Sequence, residues 1–369
     1  MVRISRNPAS LCGALLFGCS VAAIGCGART PLISNSIDDL DGGTTHVVSC
    51  TPGTVVLTRA IPTVMFVIDR SGSMAEGLSS GTISRWEILT NAFSETLPPV
   101  DATMQIGALL YPTGTTGRGP LTCAVPSAVN LPAAAGNVTP LLDLLHDNTP
   151  GGGTPTADAL DVAANALLGT RAARSARSIV LATDGAPNCN AALDTRTCRC
   201  AQPGMGCQNR AQQCLDDTRT TDRIASYQAK GLPTYVIGIL NSGDTDFVDV
   251  LNAMADAGGR PRTDASQRYY QASSAPEFNA ALVAIRDQVG VCTYLTTSVP
   301  DGNGTITVTL GGVAVPYDPS GKQGWTWGDK DNGEIILGGA ACTKAAMSGA
   351  LTPSAEVHCA SLETDGGDE

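Results

Sequence analysis

The sequence predicts an α/β protein: a doubly wound, mostly parallel sheet flanked by helices, followed by a small disulfide-tied β-rich appendage. Three observations support this prediction. Continuous apolar runs of strand length recur through the middle of the chain, segments of helical period separate them, and period-two alternation replaces both beyond residue 291. Continuous apolar strands are typical of sheets covered on both faces, and strands that alternate with helices indicate parallel pairing.

The composition limits the classes of protein to which the chain can belong. Its 369 residues are 43% hydrophobic and 15% charged, which is enough apolar material for one sizeable core and a smaller module. The formal net charge is -11 and Lys and Arg form no cluster. Nucleic acid is therefore not expected as a partner.

Residues 1–25 are predicted to be a signal peptide. Arg3 and Arg6 give a positive start, and the apolar run that follows is too short and too rich in small residues to span a membrane. The run ends in AAIGC, which resembles a bacterial lipobox and implies that Cys26 is lipidated. A competing site at Cys19 and ordinary secretory cleavage are the alternatives.

Residues 26–50 are predicted to be a flexible linker after the lipidated cysteine, because Gly, Ser, Thr and Asp dominate them. Such a linker would hold the folded part away from the membrane surface. We therefore expect an exported cell-envelope protein, an outer-membrane-anchored lipoprotein of a Gram-negative bacterium. Its contact with the membrane is expected to be through the lipid anchor alone.

Ten of the 13 cysteines remain once Cys12 and Cys19 leave with the signal and Cys26 carries lipid. An even set fits about five disulfides in an oxidising compartment. Five of the ten lie between residues 187 and 214, which read as a disulfide-tied insertion. Because five is odd, one of them is expected to pair outside the insertion. A metal cluster is the alternative, but no CxxC pair is present in the insertion.

The main domain is predicted over residues 51–291. Its four continuous apolar strands are predicted at residues 63–69, 104–111, 178–184 and 234–240. Its helices are predicted at residues 84–97, 138–146, 155–168, 220–230, 245–257 and 275–289. In open sheets of this kind, ligands bind beyond the carboxyl ends of the strands.

A small β-rich module is predicted over residues 292–360, with some of Cys292, Cys342 and Cys359 in its disulfides. Gly311 and Gly312 are expected at a hairpin turn. The acidic stretches 301–308 and 329–335 resemble fragments of a calcium loop, but neither completes the pattern with its terminal glutamate, and hairpin turns are expected instead. The tail 361–369 is predicted to be acidic and disordered.

The stretch FVIDRSGSM carries the first candidate functional residues. Asp69 stands at the carboxyl end of a predicted buried strand, and Ser71 and Ser73 follow at alternate positions. In an extended loop, alternate residues point the same way, so one carboxylate and two hydroxyls converge at the sheet edge. Gly72 allows a close approach by a partner. Taken alone, the same residues also suit helix capping and turn formation.

Two further segments bring oxygen atoms to the same edge. The sequence GGGTPTADAL places Thr154 before a helix with Pro155 at its first position, and LATDG places Asp184 after another strand. Oxygen-only ligands select a hard cation, so we expect Mg²⁺, with Mn²⁺ or Ca²⁺ as alternatives.

In this order, DRSGS, GGT before a helix and TDG after a strand resemble the metal ion-dependent adhesion site of a von Willebrand factor type A domain, over about residues 60–290. The resemblance implies a Rossmann-like fold and a protein ligand that presents Asp or Glu to the cation. It implies a divalent cation held, directly or through water, by Asp69, Ser71, Ser73, Thr154 and Asp184. The cysteine-rich insertion and the β-rich module depart from the bare domain.

Three functional hypotheses follow from the sequence. The first is an anchored adhesion module that captures protein carboxylates through the cation. The second is a scaffold whose metal only stabilises the fold, with binding by the insertion or the β-rich module. The third, a hydrolase, has little support, because only three histidines, His46, His146 and His358, are present, and they form no HExxH helix. We therefore expect no enzymatic activity.

Overall fold

The computed structural model describes residues 49–78, 82–113, 122–169, 176–202, 206–240, 246–262, 266–290, 292–321, 323–347 and 351–360. The predicted signal peptide, Cys26, most of the predicted linker and the acidic tail lie outside the described residues. Among the described residues, no helix combines the length and apolar character needed to cross a membrane.

The strands, numbered in chain order, are β1 (Gly53–Val56), β2 (Thr58–Arg59), β3 (Thr63–Asp69), β4 (Gln105–Tyr111), β5 (Leu131–Ala134), β6 (Arg177–Thr183), β7 (Thr234–Gly238), β8 (Tyr270–Gln271), β9 (Thr293–Leu295), β10 (Thr305–Leu310), β11 (Val313–Ala314), β12 (Gly324–Asp329), β13 (Glu334–Gly338) and β14 (Pro353–His358). The α-helices are α1 (Arg85–Thr96), α2 (Val138–His146), α3 (Thr156–Gly169), α4 (Asp217–Gln228), α5 (Val248–Ala257), α6 (Ala275–Gly290) and α7 (Gly339–Met347).

A six-stranded sheet in the order β5-β4-β3-β6-β7-β8 forms the centre of the main domain. Its strands run parallel except for the edge strand β5, which pairs antiparallel with β4. Helices α1, α2 and α6 bury their apolar residues on one face, and α3, α4 and α5 bury theirs on the other. The predicted doubly wound α/β fold is confirmed.

Strand β3 shows why the predicted strands are continuous apolar runs. Phe66 and Ile68 point into the core beneath α1 and α6, whereas Met65 and Val67 point into the core on the opposite face. All seven residues of β3 are buried. A strand with helices on both sides must be apolar at nearly every position, and the sequence shows this directly.

The starts of two helices differ by three residues from those predicted. Helix α4 begins at Asp217 rather than residue 220, and α5 begins at Val248 rather than residue 245. Phe247 precedes α5 with φ of 62°, a left-handed conformation outside the helical region. The helical periodicity of the sequence gives no sign of this left-handed residue, so the predicted start of α5 was wrong by three residues.

Helix α1 begins with a reciprocal capping arrangement. The Ser84 hydroxyl accepts a hydrogen bond from the Glu87 backbone N–H at 3.2 Å, and the Glu87 carboxylate accepts one from the Ser84 backbone N–H at 2.8 Å. This capping box satisfies two backbone donors that the helix cannot pair internally. It fixes the start of the helix that follows the loop with Ser71 and Ser73.

Replacing Ser84 with alanine is expected to lower the free energy of unfolding by about 1 kcal/mol, because the cap of α1 is lost. Urea unfolding of the purified protein measures this change. Ser94→Ala is the matched control: its hydroxyl only donates to the Asn91 carbonyl within the same helix, at 2.7 Å. Equal stability of the two variants would contradict the assignment of the cap.

The β-rich module consists of two four-stranded sheets, in the orders β1-β14-β10-β11 and β12-β13-β9-β2. Here the structure differs from the predicted boundary at residue 51, because β1 and β2 pair antiparallel with β14 and β9. The mostly exposed β1 is unsuited to a sheet covered on both faces, and Leu57 packs in the core of the module with Trp325. Both ends of the described chain therefore build the module.

Two local features of the module test the sequence predictions. Gly311 and Gly312 join β10 to β11 with φ of 58° and 80°, which confirms the predicted hairpin turn. Helix α7 was not predicted. Its sequence, GAACTKAAM, is too short and too uniformly small to show a helical period.

All ten cysteines predicted to remain in the mature chain form disulfides. The pairs are Cys50–Cys359, Cys123–Cys189, Cys198–Cys214, Cys200–Cys207 and Cys292–Cys342. The expectation that one cysteine of the insertion pairs outside it is confirmed by Cys189. Cys50, assigned to the linker, is instead tied to the residue after the last strand of the module, Cys359.

Candidate metal centre

Asp69 lies at the carboxyl end of the central strand β3 and is fully buried, with 0% exposure. One carboxylate oxygen, Oδ1, accepts a hydrogen bond from the Ser71 backbone N–H at 2.8 Å. The other, Oδ2, accepts one from the Thr183 hydroxyl at 2.7 Å. Hydrogen bonds from the following loop and from β6 therefore hold the carboxylate in one orientation.

The loop after Asp69 does not have the extended geometry expected from the sequence. A 3₁₀ turn spans Gly72–Ala75, and the Met74 backbone N–H donates to the Ser71 carbonyl at 3.1 Å. The turn carries the Met74 side chain into the core, where it is fully buried. The Ser71 and Ser73 hydroxyls still come together, with their Oγ atoms 3.1 Å apart.

The loop that carries Thr154 lies against the loop that follows Asp69. The Gly72 N–H donates to the Gly152 carbonyl at 3.1 Å, and the Gly151 N–H donates to the Arg70 carbonyl at 2.7 Å. Thr154 is 4% exposed and follows these contacts directly. The backbone thus brings the second predicted segment to the edge where Asp69 lies.

Asp184 follows β6 and is 8% exposed. The Ser73 hydroxyl donates to its carboxylate, which links the first loop to the third predicted segment. Burial raises the pKa of Asp184 above its ordinary value, while this hydrogen bond and the charge of Arg85 oppose the rise. Arg85 is itself buried and donates to the Ser73 carbonyl at 2.9 Å.

The charge of Asp184 makes the neighbouring Asp69 carboxyl group harder to ionise. Burial, and then this charge, raise the pKa of Asp69 to about 7, against the hydrogen bonds from Ser71 and Thr183. The same surroundings raise the pKa of Tyr111, first through burial and then through Asp69. A cation placed between the carboxylates would reverse this penalty, because opposite charge favours the ionised form.

The residues present fit a hard divalent cation. The donors are carboxylate and hydroxyl oxygens with no sulfur or nitrogen, and two ionised carboxylates balance two positive charges. Contacts join Asp69, Ser71, Ser73 and Asp184. The loop that carries the fifth predicted residue, Thr154, is hydrogen-bonded through Gly151 and Gly152 to the loop that follows Asp69.

Sequence reasoning missed Thr183, Arg85 and Asn188 as neighbours of the site. Thr183 precedes Asp184 in TDG, but its contact with Asp69 depends on the pairing of β3 with β6. Arg85 stands 12 residues beyond Ser73, and no local pattern marks it as a donor to that residue. Asn188 lies in the cysteine-rich insertion and contacts Thr154 through the fold alone.

The sequence of this region matches a known family. Residues 64–186 match the model of the von Willebrand factor type A domain. The matched segment runs from β3 to just beyond β6 and contains all five candidate ligands. The match supports a von Willebrand factor type A domain in this part of the chain. No curated protein matches the chain.

Solved structures to which the chain is similar at low identity include proteins of bacterial pili and of a parasite. SpaC, a pilus adhesin from Lactobacillus rhamnosus GG, is 16% identical, with a TM-score of 0.44 over 84% of this chain and 41% of its own. The PilB minor pilin from Streptococcus sanguinis is 16% identical, with a TM-score of 0.42 over 63% of this chain and 62% of its own. Manganese-loaded TRAP protein from Plasmodium vivax is 16% identical, with a TM-score of 0.42 over 74% of this chain and 89% of its own. This chain spans less than two thirds of the length of the pilin and the adhesin.

Proposed function

We propose that this protein is an exported, membrane-anchored module that binds one divalent cation and captures a protein ligand through an Asp or Glu of that ligand. Mg²⁺ is the expected cation, with Mn²⁺ or Ca²⁺ as alternatives. The proposed ligands are Asp69, Ser71, Ser73, Thr154 and Asp184. The observation that carries the proposal is the pair of buried carboxyl groups at adjacent strand ends, joined through serine hydroxyls.

Each protein group has a distinct role in the proposed site. Asp69 and Asp184 supply the negative charge, and the hydroxyls complete the donor set without adding to it. The Ser71 N–H and the Thr183 hydroxyl orient the Asp69 carboxylate. Gly72 is exposed at the loop surface, so a ligand can approach without meeting a side chain. When bound, the cation supplies an electrophilic position that a carboxylate of the partner can occupy.

Export to an oxidising compartment is part of the proposal. Five disulfides support it, because such bonds persist outside the cytosol. Lipidation of Cys26 and anchoring of the chain to the envelope belong to the same proposal. Mass spectrometry of the mature protein from membranes tests both, since a lipid-modified N-terminal Cys26 is expected.

We also propose that the protein is not an enzyme. The described histidines, His146 and His358, are exposed and lie beside Asp147 and Glu356 rather than at the carboxylate site. None of the described residues at the site is a histidine, the residue that acts as general base in many hydrolases. Absence of turnover on ester and peptide panels with added Mg²⁺ or Mn²⁺ is the expected result.

A peptide selection tests cation-dependent capture. A random peptide library displayed on phage is incubated with the immobilised mature protein in Mn²⁺ and eluted with acid, and each enriched peptide is then tested for binding in Mn²⁺ and in EDTA. We expect enriched peptides to share an Asp or Glu whose replacement by Asn or Gln abolishes binding. Peptides that bind equally well in EDTA, or that lack an acidic residue, would contradict the proposal.

A metal-stabilised scaffold is the second candidate function. The cysteine-rich insertion favours it, because three of the five disulfides have a cysteine there and could hold a separate binding surface. In that case EDTA lowers the melting temperature of the protein but leaves partner binding unchanged. The peptide selection therefore separates the two functions.

A further inference from the structure

Asn188, in the cysteine-rich insertion, makes two hydrogen bonds with Thr154. The Thr154 N–H donates to the Asn188 side-chain oxygen at 2.8 Å, and the Asn188 backbone N–H donates to the Thr154 carbonyl at 2.9 Å. The two bonds engage both backbone groups of Thr154, the one proposed ligand that does not follow a strand.

The other side of the same loop is held by Thr122. The Gly153 N–H donates to the Thr122 carbonyl at 2.9 Å. Gly152 has φ of 92°, and a Cβ there would lie 2.9 Å from the Thr122 oxygen, so the two backbones are in close contact. The loop with Thr154 is thus hydrogen-bonded to Thr122 on one side and to Asn188 on the other.

Thr122 and Asn188 are linked covalently through the cysteine that follows each of them. Cys123 follows Thr122, Cys189 follows Asn188, and the two cysteines form a disulfide. We name Thr122, Cys123, Asn188 and Cys189 the disulfide clasp. Together with the backbone hydrogen bonds of Gly153 and Thr154, it closes a ring that includes these two residues.

The clasp is itself anchored to the rest of the domain. The Cys189 N–H donates to the Gln212 carbonyl at 2.9 Å, and the Asp216 N–H donates to the Pro187 carbonyl at 2.8 Å. On the other side, the Thr113 N–H, two residues beyond β4, donates to the Ala124 carbonyl at 2.7 Å. The disulfide therefore ties the chain after β4 to the chain after β6, across the loop with Thr154.

We propose that Asn188 and the Cys123–Cys189 disulfide are positioning elements that set the affinity of the metal centre by fixing Thr154. This inference rests on the proposed function. Asp69 and Asp184 are held by buried strands, whereas Thr154 lies in a loop that begins with three glycines and contributes no charge. A neutral ligand adds affinity only if it is already in place, because ordering the loop on binding costs entropy.

A further consequence is that cation affinity depends on the redox state of one disulfide. A dithiol reductant, itself oxidised to a disulfide, would convert Cys123–Cys189 into two thiols, so that the chain segments on the two sides of the Thr154 loop would no longer be joined covalently. The protein would then bind its cation, and through it its partner, most tightly in an oxidising compartment. Cys200–Cys207 closes a loop inside the insertion and offers a matched comparison.

The test measures Mn²⁺ binding to the full mature protein by isothermal calorimetry, together with the melting temperature in EDTA. We expect Cys123→Ser/Cys189→Ser and Asn188→Ala to weaken Mn²⁺ binding by at least about 10-fold, the effect of removing groups that orient metal ligands. Cys200→Ser/Cys207→Ser should change it by less than about twofold, because this disulfide joins two residues within the insertion. Asn188→Asp keeps the acceptor oxygen for the Thr154 N–H and should restore the affinity.

The outcomes separate this inference from the proposed function. If the wild type binds no Mn²⁺, the proposed function fails and this inference falls with it. If the wild type binds Mn²⁺ and the clasp variants bind equally well, only this inference is overturned, and the disulfide then serves stability alone. Asn188→Ala decides the question where the double cysteine variant does not fold, because it leaves every disulfide intact.

Discussion

Asp69→Ala is expected to lower the affinity for Mg²⁺ or Mn²⁺ by at least about 100-fold, because in the proposed site it removes a buried carboxylate ligand rather than an outer contact. The cation-free protein should remain folded. In the wild type, the buried Asp69 carboxyl group carries a desolvation cost, and the charge of Asp184 makes its ionisation less favourable still. Removing the group removes this cost, which offsets the loss of the hydrogen bonds from Ser71 and Thr183. The free energy of unfolding without metal should change by no more than about 2 kcal/mol.

Calorimetric titration and urea unfolding in EDTA measure these two quantities on the same preparations. Glu356→Gln is the control, since this carboxylate is exposed on β14 in the β-rich module. It should leave both affinity and stability unchanged. An Asp69→Ala protein that is folded and binds the cation within about threefold of the wild type would remove Asp69 from the site.

Glu334→Gln is expected to remove a large pH dependence from the stability of the protein. Glu334 begins β13 in the module, and burial raises its pKa from 4.5 to about 8, with Asp329 adding to the rise and Arg260 and Arg177 opposing it. A Cβ on Gly328 would collide with the Glu334 Oε1 atom, so the carboxyl group packs directly on the backbone of β12. Its charged form has little room for water.

The sign follows from proton linkage. Between pH 4.5 and about 8 the unfolded chain ionises this group while the folded protein keeps it protonated, so folding takes up a proton. The free energy of unfolding therefore falls as the pH rises through this window, by about 1.4 kcal/mol per pH unit for one proton. Stability from the protonated group is fully present below pH 4.5 and is lost as the pH rises to about 8.

Urea unfolding in EDTA at a series of pH values across this window is the measurement. Asp69, whose pKa is about 7, contributes in both proteins, so the comparison is the difference in slope between wild type and Glu334→Gln. The variant should show a shallower slope and should be more stable than the wild type at the alkaline end of the series. Parallel curves for the two proteins would show that Glu334 ionises normally.

The central sheet could be predicted because burial on both faces constrains every residue of its strands. Strands β3 and β6 have helices on both faces, so each contains an unbroken apolar run, residues 64–68 and 179–182, and Asp69 and Asp184 mark the strand ends. The edge strand β5 was missed for the opposite reason. It has only four residues, is poorly buried and contains Pro132, which is tolerated at an edge.

The candidate ligands could be found from the sequence because each stands next to a strand end or a helix start. Their supporting contacts could not. Thr183 reaches Asp69 only because β3 and β6 pair with Ile68 opposite Ala182, and the sequence does not encode that register locally. Asn188 reaches Thr154 from within a segment with no periodicity, so only the folded chain reveals the contact.

The strand pairing of the β-rich module could not be predicted from the sequence either. Gly53 of β1 lies opposite Val357 of β14, near the other end of the chain. No pattern in the sequence of either strand identifies the other as its partner. The closing disulfide Cys50–Cys359 shows the same limit. An even number of cysteines predicts that bonds form, but their pairing depends on the fold.

A crystal structure of the mature protein grown in Mn²⁺, with diffraction recorded at the manganese absorption edge, tests the central claim most directly. We predict one strong anomalous peak within bonding distance of oxygens from Asp69, Ser71, Ser73, Thr154 and Asp184, directly or through one water. A map with no peak between these residues, from crystals that contain Mn²⁺ elsewhere, would contradict the account.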